Sequence, residues 1–399
     1  MKVLHLLKTS VGASWALRQT TELVKLGVEV HLALPPGPMV EKYQQAGVHV
    51  HLFDPSLSLG KPWLNIARAK RLRALVKQLK PDLVHSHFVA TTLLMRIALI
   101  KLDVIKIFHV PGPLHLEHTF FRQLDLLSAG KKDYWLASCL WTQKKYQQCG
   151  ISSKRVGLAY YGVNESDFAF NDVKSTELKR SLNMSEDDFL VGMVAYFYAP
   201  KSYLGQKRGL KGHEDLIDAL VIVRKRYPNV KCVLVGGAWG DTEYYFEAVK
   251  NYAAERLGDN CVFLGTRKDV AALYPQFDLA VHPSHSENVG GAVESMYANV
   301  ATLTSDVGGF PDLVEDGKTG YMAKAKEPQS LASKIMAAIA DPEQRKKQVI
   351  AASAKVKQVM NVQDNAVQVH EFYKNVLKLE GKALFNKNND DNISEKYDA

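Results

Sequence analysis

Short apolar segments alternate with amphipathic segments along most of this 399-residue chain, and that alternation limits the folds it can adopt. In the first half, the apolar segments predict strands at residues 2–7, 28–34, 48–53, 82–88 and 104–109. Helical periodicity is clearest at residues 15–26 and 64–80. Strands separated by helices in this way form parallel β-α-β units, so the sequence predicts an α/β fold with a parallel sheet.

The same pattern restarts after a polar segment at residues 165–185. It predicts a helix at 213–226 and strands at 189–195, 231–235, 262–264, 279–282 and 301–304. We therefore expect two doubly wound domains, residues 1–170 and 171–361, with ligands bound at the carboxyl ends of the strands. A final helix at 362–380 is expected to pack back on the first domain. Residues 386–399, rich in Asn, Asp and Lys, are expected to be disordered.

The composition, 46% hydrophobic and 23% charged, is that of an ordinary globular protein. The apolar run at the start is too short for a signal peptide. The most apolar internal segment, residues 90–100, contains Arg96 and is too short to span a bilayer. The four cysteines have no Cys-x-x-Cys spacing and are expected to be reduced. These features favour a cytoplasmic protein, at most peripheral on the cytoplasmic face of the inner membrane.

The net charge of +9 suits an anionic partner without identifying it. Residues 64–80 contain six cations and no acid: Arg68, Lys70, Arg71, Arg73, Lys77 and Lys80. An apolar stripe is predicted to be buried: Ile66, Ala69, Leu72, Leu75, Val76 and Leu79. The opposite face fits either an anionic membrane surface or plain solvent. Nucleic acid is not expected, because no aromatic-rich or helix-turn-helix module accompanies the charge.

The segment at 282–296 has the clearest chemical pattern. Gly290 and Gly291 stand at a strand-to-helix turn, where backbone N–H groups and the helix dipole can receive an anion. Glu287 precedes this turn and Glu294 follows it. A carboxylate beside a phosphate site is electrostatically costly unless it accepts hydrogen bonds from hydroxyl groups, so sugar or ribose hydroxyls are the expected partners of these glutamates.

This segment resembles the donor site of the family 4 retaining glycosyltransferases, which have the two-domain GT-B fold with a central cleft. Residues 305–321 resemble the same family. The resemblance implies that Glu287 contacts the donor sugar and Glu294 the nucleotide ribose. The substrate-binding loop between them is Asn288, Val289, Gly290 and Gly291. Six residues separate the two glutamates where the family has seven, and one residue turns a helix by about 100°.

The resemblance also implies that a lysine and an arginine, not a metal, neutralise the departing diphosphate. Lys211, before Gly212, matches the lysine, but Gln206 occupies the arginine position, so Arg208 or Lys201 is expected to replace it. No Asp-x-Asp or His-Glu-x-x-His is present, and we expect no metal. We also expect no cofactor, with a UDP-sugar as the co-substrate.

In the first half, the resemblance implies a glycine-bearing loop near the donor phosphates and acceptor, here at Gly12. The family often has a functional histidine near the strand that ends at Phe108. His109 stands at that strand end and His115 in the following loop. We favour His109 for the catalytic position and assign His115 to substrate binding.

Together these features predict a retaining, metal-independent glycosyltransferase of the hexosyltransferase type. It would move a sugar from a nucleotide diphosphate sugar to a lipid-linked saccharide acceptor in surface polysaccharide or lipopolysaccharide assembly. Two alternatives stay open: a nucleotide-sugar epimerase of the same fold, and a catalytically silent sugar-nucleotide-binding protein.

Overall fold

The computed structural model of the protein describes residues 1–168 and 177–381. The expected domain boundary at 170–171 and the expected disordered segment at 386–399 lie outside these residues. The first sheet has seven strands: β1 (Lys2–Leu6), β2 (Glu29–Leu34), β3 (His49–Leu52), β4 (Leu83–Ser86), β5 (Ile105–Val110), β6 (Asp133–Ala137) and β7 (Val156–Leu158). They are paired in parallel in the order β3-β2-β1-β4-β5-β6-β7.

Helices cover both faces of this sheet: α1 (Ser14–Lys25), α2 (Val40–Gln45), α3 (Leu64–Leu79), α4 (Val89–Ala98), α5 (Leu114–Glu117), α6 (Thr119–Ser128) and α7 (Leu140–Gln148). Successive strand residues point to opposite faces, so Val3 belongs to the core layer beside α1, whereas Leu4 belongs to the layer beside α3 and α4. Both layers are buried, which explains the continuous apolar runs in the sequence.

The second sheet has six strands: β8 (Phe189–Val194), β9 (Val230–Val235), β10 (Cys261–Gly265), β11 (Leu279–His282), β12 (Thr302–Ser305) and β13 (Tyr321–Ala323). They are also parallel, in the order β10-β9-β8-β11-β12-β13. The helices of this half and of the chain end are α8 (Glu177–Ser181), α9 (His213–Arg224), α10 (Glu243–Leu257), α11 (Val270–Leu273), α12 (Gly290–Tyr297), α13 (Phe310–Leu313), α14 (Pro328–Ala340), α15 (Pro342–Val359) and α16 (Val362–Leu379). The predicted architecture of two doubly wound α/β domains is confirmed.

The last helix, α16, returns to the first domain and packs on α1. Val369 and Tyr373 are fully buried there, and the Tyr373 hydroxyl is hydrogen-bonded to Nδ1 of His85. At the crossing, the Val163 N–H donates to the Met360 carbonyl at 2.8 Å. The first domain therefore takes part of its core from the far end of the chain.

The structure corrects the prediction for residues 64–80 in two respects. Leu72 and Val76 are buried, but Ile66 is 65% exposed, because the first turn of α3 extends beyond the apolar core that Leu72 and Val76 join. Three of the six cations bind the protein itself. Arg68 pairs with Asp54 at 2.6 Å, while Arg71 and Arg73 donate to backbone carbonyls. Lys70, Lys77 and Lys80 remain exposed.

None of the helices in the described part of the chain combines the length and apolar character needed to cross a bilayer.

Candidate active site

Two cavities meet between the carboxyl ends of the two sheets. The first, the interdomain cavity, has a volume of about 760 Å³ and is lined by both domains. The second, the apolar groove, has a volume of about 1260 Å³ and extends into the first domain between α4 and α6. Four residues line both and define the junction: Pro111, Tyr198, Lys211 and Asn288. The strand-end rule for doubly wound sheets predicts ligands at this junction.

Lys211 and Glu287 form an ion pair at the junction. Lys211 Nζ donates to Glu287 Oε2, and the two side chains are 20% and 14% exposed. Burial alone would lower the pKa of Lys211, but the Glu287 carboxylate outweighs it and raises that pKa. Gly212, the next residue, lets the backbone after Lys211 lie close to Pro283. The φ of Gly212 is +76°, and a Cβ at this position would lie 2.1 Å from the Pro283 carbonyl oxygen. The sequence pattern thus brings one cation and one carboxylate into contact.

Close approach of the backbone explains why glycines stand at positions 290, 308 and 309. A Cβ on Gly290, whose φ is +31°, would lie 2.8 Å from the carboxyl carbon of Glu287. A Cβ on Gly308 would lie 1.8 Å from the Glu287 carbonyl oxygen, and one on Gly309 would lie 2.5 Å from the Asn288 carbonyl oxygen. The Asn288 N–H also donates to Glu287 Oε1 at 3.1 Å. Glycine at these positions therefore lets the loop close tightly around Glu287.

Glu294 lies on α12 and lines the interdomain cavity. The same cavity is lined by Gly12 and by the loop residues Asn288, Val289, Gly290 and Gly291. Burial raises the pKa of the Glu294 carboxyl, while the Tyr274 hydroxyl and the charge of Arg18 partly oppose that rise. Arg18 comes from α1 in the other domain and lines the same cavity. No sequence motif pointed to Arg18, although a basic residue in the helix after the Gly12 loop was a usable signal.

The expected role of Arg208 is corrected by its contacts. Its guanidinium pairs with Asp215 and Asp218 of α9, each at 2.6 Å. It lines a third cavity together with Asp215 and His285, and neither the interdomain cavity nor the apolar groove. Arg208 therefore lies away from the junction, with its charge balanced by two carboxylates of its own domain.

Lys201, the other substitute, lines the apolar groove beside Lys211. Lys8, from the loop after β1, lines the same end of the groove and stands over the Phe88 ring at 4.6 Å. Burial lowers the pKa of Lys8, and the charge of Lys201 lowers it further, so the two ammonium groups repel each other. The importance of Lys8 was missed, because in sequence it only interrupts an apolar run.

The structure also corrects the preference for His109. This residue is fully buried, its ring stacks on Tyr161 at 4.1 Å, and its Nε2 is hydrogen-bonded to the Ala159 carbonyl at 3.0 Å. Burial lowers its pKa to about 3, so the ring is neutral. It lines neither the interdomain cavity nor the apolar groove. His115 does line the apolar groove, and its Nε2 is hydrogen-bonded to the Tyr146 hydroxyl at 3.1 Å.

His109 belongs to a buried histidine cluster with His5, His85 and His87. Ring nitrogens of His5, His85 and His87 lie within 4.8 Å of one another, which makes these three residues the candidate metal-binding group among the described residues. Their rings are inclined by only 16–32°, and His5 Nδ1 is hydrogen-bonded to His87 Nε2 at 2.9 Å. Nearly parallel rings direct their lone pairs side by side, so this cluster is arranged for packing more than for convergent ligation.

Two family models match the chain, one in each domain. Residues 13–167 match the model described as Glycosyltransferase Family 4, and residues 202–355 match the model described as Glycosyl transferases group 1. The chain is a GT-B glycosyltransferase of the family 4 type.

Relatives of this family 4 glycosyltransferase include enzymes of bacterial surface polysaccharides. It is 23% identical over 359 residues to the capsular polysaccharide biosynthesis glycosyltransferase CapM of Staphylococcus aureus, covering 85% of this chain and 88% of CapM. It is 31% identical over 175 residues to the lipopolysaccharide 1,2-N-acetylglucosaminetransferase of Salmonella typhimurium, covering 42% and 43% of the two chains.

Its fold matches the crystal structure of Anabaena Alr3699/HepE in complex with UDP and glucose. The TM-score is 0.76 at 22% identity, over 94% of this glycosyltransferase and 99% of HepE. The structural likeness confirms the GT-B fold that the sequence predicted.

Proposed function

We propose that this glycosyltransferase moves a hexosyl group from a UDP-sugar to a lipid-linked saccharide, with retention of configuration and without a metal. Its role would be in surface polysaccharide or lipopolysaccharide assembly at the cytoplasmic face of the inner membrane. The ion pair of Lys211 and Glu287 at the junction carries the proposal, because it joins a cation for the leaving group to an acceptor for sugar hydroxyls. The names of CapM and of the Salmonella enzyme support the saccharide class, and UDP bound to HepE supports the nucleotide.

Leaving-group stabilisation is the main catalytic contribution in this mechanism. Charge accumulates on the diphosphate as the bond from the anomeric carbon to its phosphate oxygen breaks. A preformed positive charge in a partly dry site stabilises that state without reorganisation. Lys211 supplies the charge, and the N–H groups at the start of α12 face the same cavity. Glu287, the ion-pair partner of Lys211, would accept a hydrogen bond from the donor sugar.

The nucleotide would occupy the interdomain cavity, with Glu294 accepting from the ribose hydroxyls. In a retaining transfer in one step, the acceptor oxygen would bond to the anomeric carbon on the face that the diphosphate leaves, and the hydroxyl proton would pass to the departing phosphate oxygen. The acceptor must then reach the junction beside Lys211, and the apolar groove opens to that point.

Labelled UDP-sugars, incubated with the protein with and without a membrane extract, test the proposal. Transfer of label to an extractable lipid fraction is expected, and Glu287→Gln should reduce it. Glu255→Gln, at an exposed glutamate of α10, is the matched control. Isomerised nucleotide sugar would instead indicate an epimerase, and binding without turnover would indicate a silent binding protein.

A further inference from the structure

We infer that the apolar groove binds the hydrocarbon chain of a lipid-phosphate acceptor, whose phosphate lies between Lys8 and Lys201. This inference rests on the proposed function and adds to it the acceptor's chemistry and the course of its chain.

The walls of the groove come from α4 and α6, two helices that are joined at one place by the ion pair of Arg96 and Asp125 at 2.9 Å. Val89, Leu93 and Ile97 recur every four residues on α4, and Phe120 and Leu124 do so on α6. On a protein surface, side chains at this spacing normally meet a neighbouring helix or strand. Here they face a cavity of about 1260 Å³, larger than the ordinary range of small-molecule pockets.

Residues that line the groove follow the whole of α4, from Phe88 and Val89 at its start to Ile100 and Leu102 beyond its last turn. Near the start of α4 the groove meets the interdomain cavity at the junction. A ten-residue helix is about 15 Å long, so the groove is elongated. Ile97, Phe120 and Leu124 are 57%, 63% and 36% exposed, so apolar side chains of both helices are left uncovered by the described part of the chain.

The cations at the inner end specify what kind of apolar ligand fits. Lys8 and Lys201 both line that end, and among the described residues no carboxylate lies within ion-pair distance of either. An anion between them would relieve their mutual repulsion. A neutral peptide or a neutral lipid would leave this pair uncompensated, whereas a phosphate on a long chain satisfies both the walls and the cations. Lys211, the next cation along, is already paired with Glu287.

Alkyl phosphates provide a binding test that does not depend on catalysis. Calorimetry with the full chain should show decyl phosphate, below its micellar concentration, binding at least tenfold more tightly than butyl phosphate. Leu124→Asn should remove most of that difference. Ile350→Asn, at a 72% exposed isoleucine of α15, is the matched control and should leave it intact. Equal affinities for the two phosphates in the wild type would overturn the inference.

The anion requirement has its own comparison. Lys8→Met should weaken decyl phosphate binding about tenfold while leaving decanol binding unchanged. Loss of both ligands together, or of neither, would contradict the assignment of Lys8 to the phosphate. Tighter binding of a two-chain phosphatidic acid than of decyl phosphate would assign the groove to bilayer lipid and overturn its assignment to the acceptor.

Acceptor kinetics separate this inference from the proposed function. With one saccharide on a long and on a short aglycone, the wild type should prefer the long one in kcat/KM, and Leu124→Asn should cut that preference about tenfold. No transfer to either acceptor, with alkyl phosphates still bound as expected, would reject the proposed function and keep the groove. Equal transfer to both acceptors would reject the groove and keep the function.

Discussion

Replacing Lys211 with methionine removes the cation at the junction while keeping most of the side-chain volume. In the wild type, its ammonium group and the Glu287 carboxylate are 20% and 14% exposed, so solvent screens the pair only in part. A hydrogen bond to a charged group contributes about 1.5–3 kcal/mol. We expect the free energy of unfolding to fall by that amount, because Glu287 is left half-buried without its partner.

The same change should reduce turnover much more than it reduces stability. Loss of one preorganised group at a site of developing charge costs about 10²–10³ in kcat. Adding Glu287→Gln to Lys211→Met should restore most of the stability, since no unpaired charge then remains, but should restore none of the turnover. The double variant therefore separates the structural role of the pair from its chemical role.

Urea unfolding and initial-rate kinetics measure the two effects on the same preparations. The pKa of Lys211 is raised above its ordinary 10.5, so the stability that protonation of this lysine contributes is present at pH 10 and is lost as the pH rises through the raised value. The control is Lys334→Met, which removes a more exposed pair with Asp316 and should leave turnover unchanged. Wild-type kcat in Lys211→Met would refute the leaving-group role.

Three further predictions concern the nucleotide, metals and the membrane. Glu294→Gln should weaken UDP binding about ten- to hundredfold by calorimetry, the loss of one charged hydrogen bond. Unchanged UDP affinity in this variant would show that Glu294 does not contact the ribose. Because burial raises the pKa of Glu294, the UDP affinity of the wild type should decline on acidification at a higher pH than the one at which an ordinary glutamate is protonated. Turnover should survive EDTA, because Lys211 supplies the positive charge at the leaving group, whereas a loss restored by magnesium or manganese would contradict this. Changing the exposed lysines of residues 64–80, which are Lys70, Lys77 and Lys80, to glutamine should weaken binding to acidic vesicles by about 1 kcal/mol per lysine in a co-sedimentation assay. Unchanged binding would leave this segment as a solvated face.

The alternation of apolar segments predicted the architecture because both faces of each sheet are buried. The helix predicted at 362–380 agrees with α16, Val362–Leu379, to within one residue, because the amphipathic period is unbroken there. Strand β6 was missed because it begins with Asp133, whose carboxylate binds Arg96 in a buried ion pair at 2.8 Å. Strands β7 and β13 have three residues each, too few for a period to appear.

The candidate site could be predicted wherever its chemistry is local in sequence. Glu287 and Gly290 contact each other within one loop, and a pattern of adjacent residues reveals that. The partners of His109 come from other elements, Tyr161 among them, so its neighbours could not be read from its own segment. Arg208 is different, since Asp215 lies in the acidic first turn of α9, and that nearby charge was a signal that it would be neutralised.

The return of α16 to the first domain has a consequence for how the chain folds during its synthesis. The sheet of the second domain and its helices α9 to α15 are continuous in sequence. The second domain can therefore assemble as soon as α15 has left the ribosome. The core of the first domain stays incomplete until Val369 and Tyr373 have been synthesised, about two hundred residues after β7. Until then the layer around Val3 is open to water, and truncation before α16 should expose that layer permanently. The half of the protein made first is thus the last to be completed.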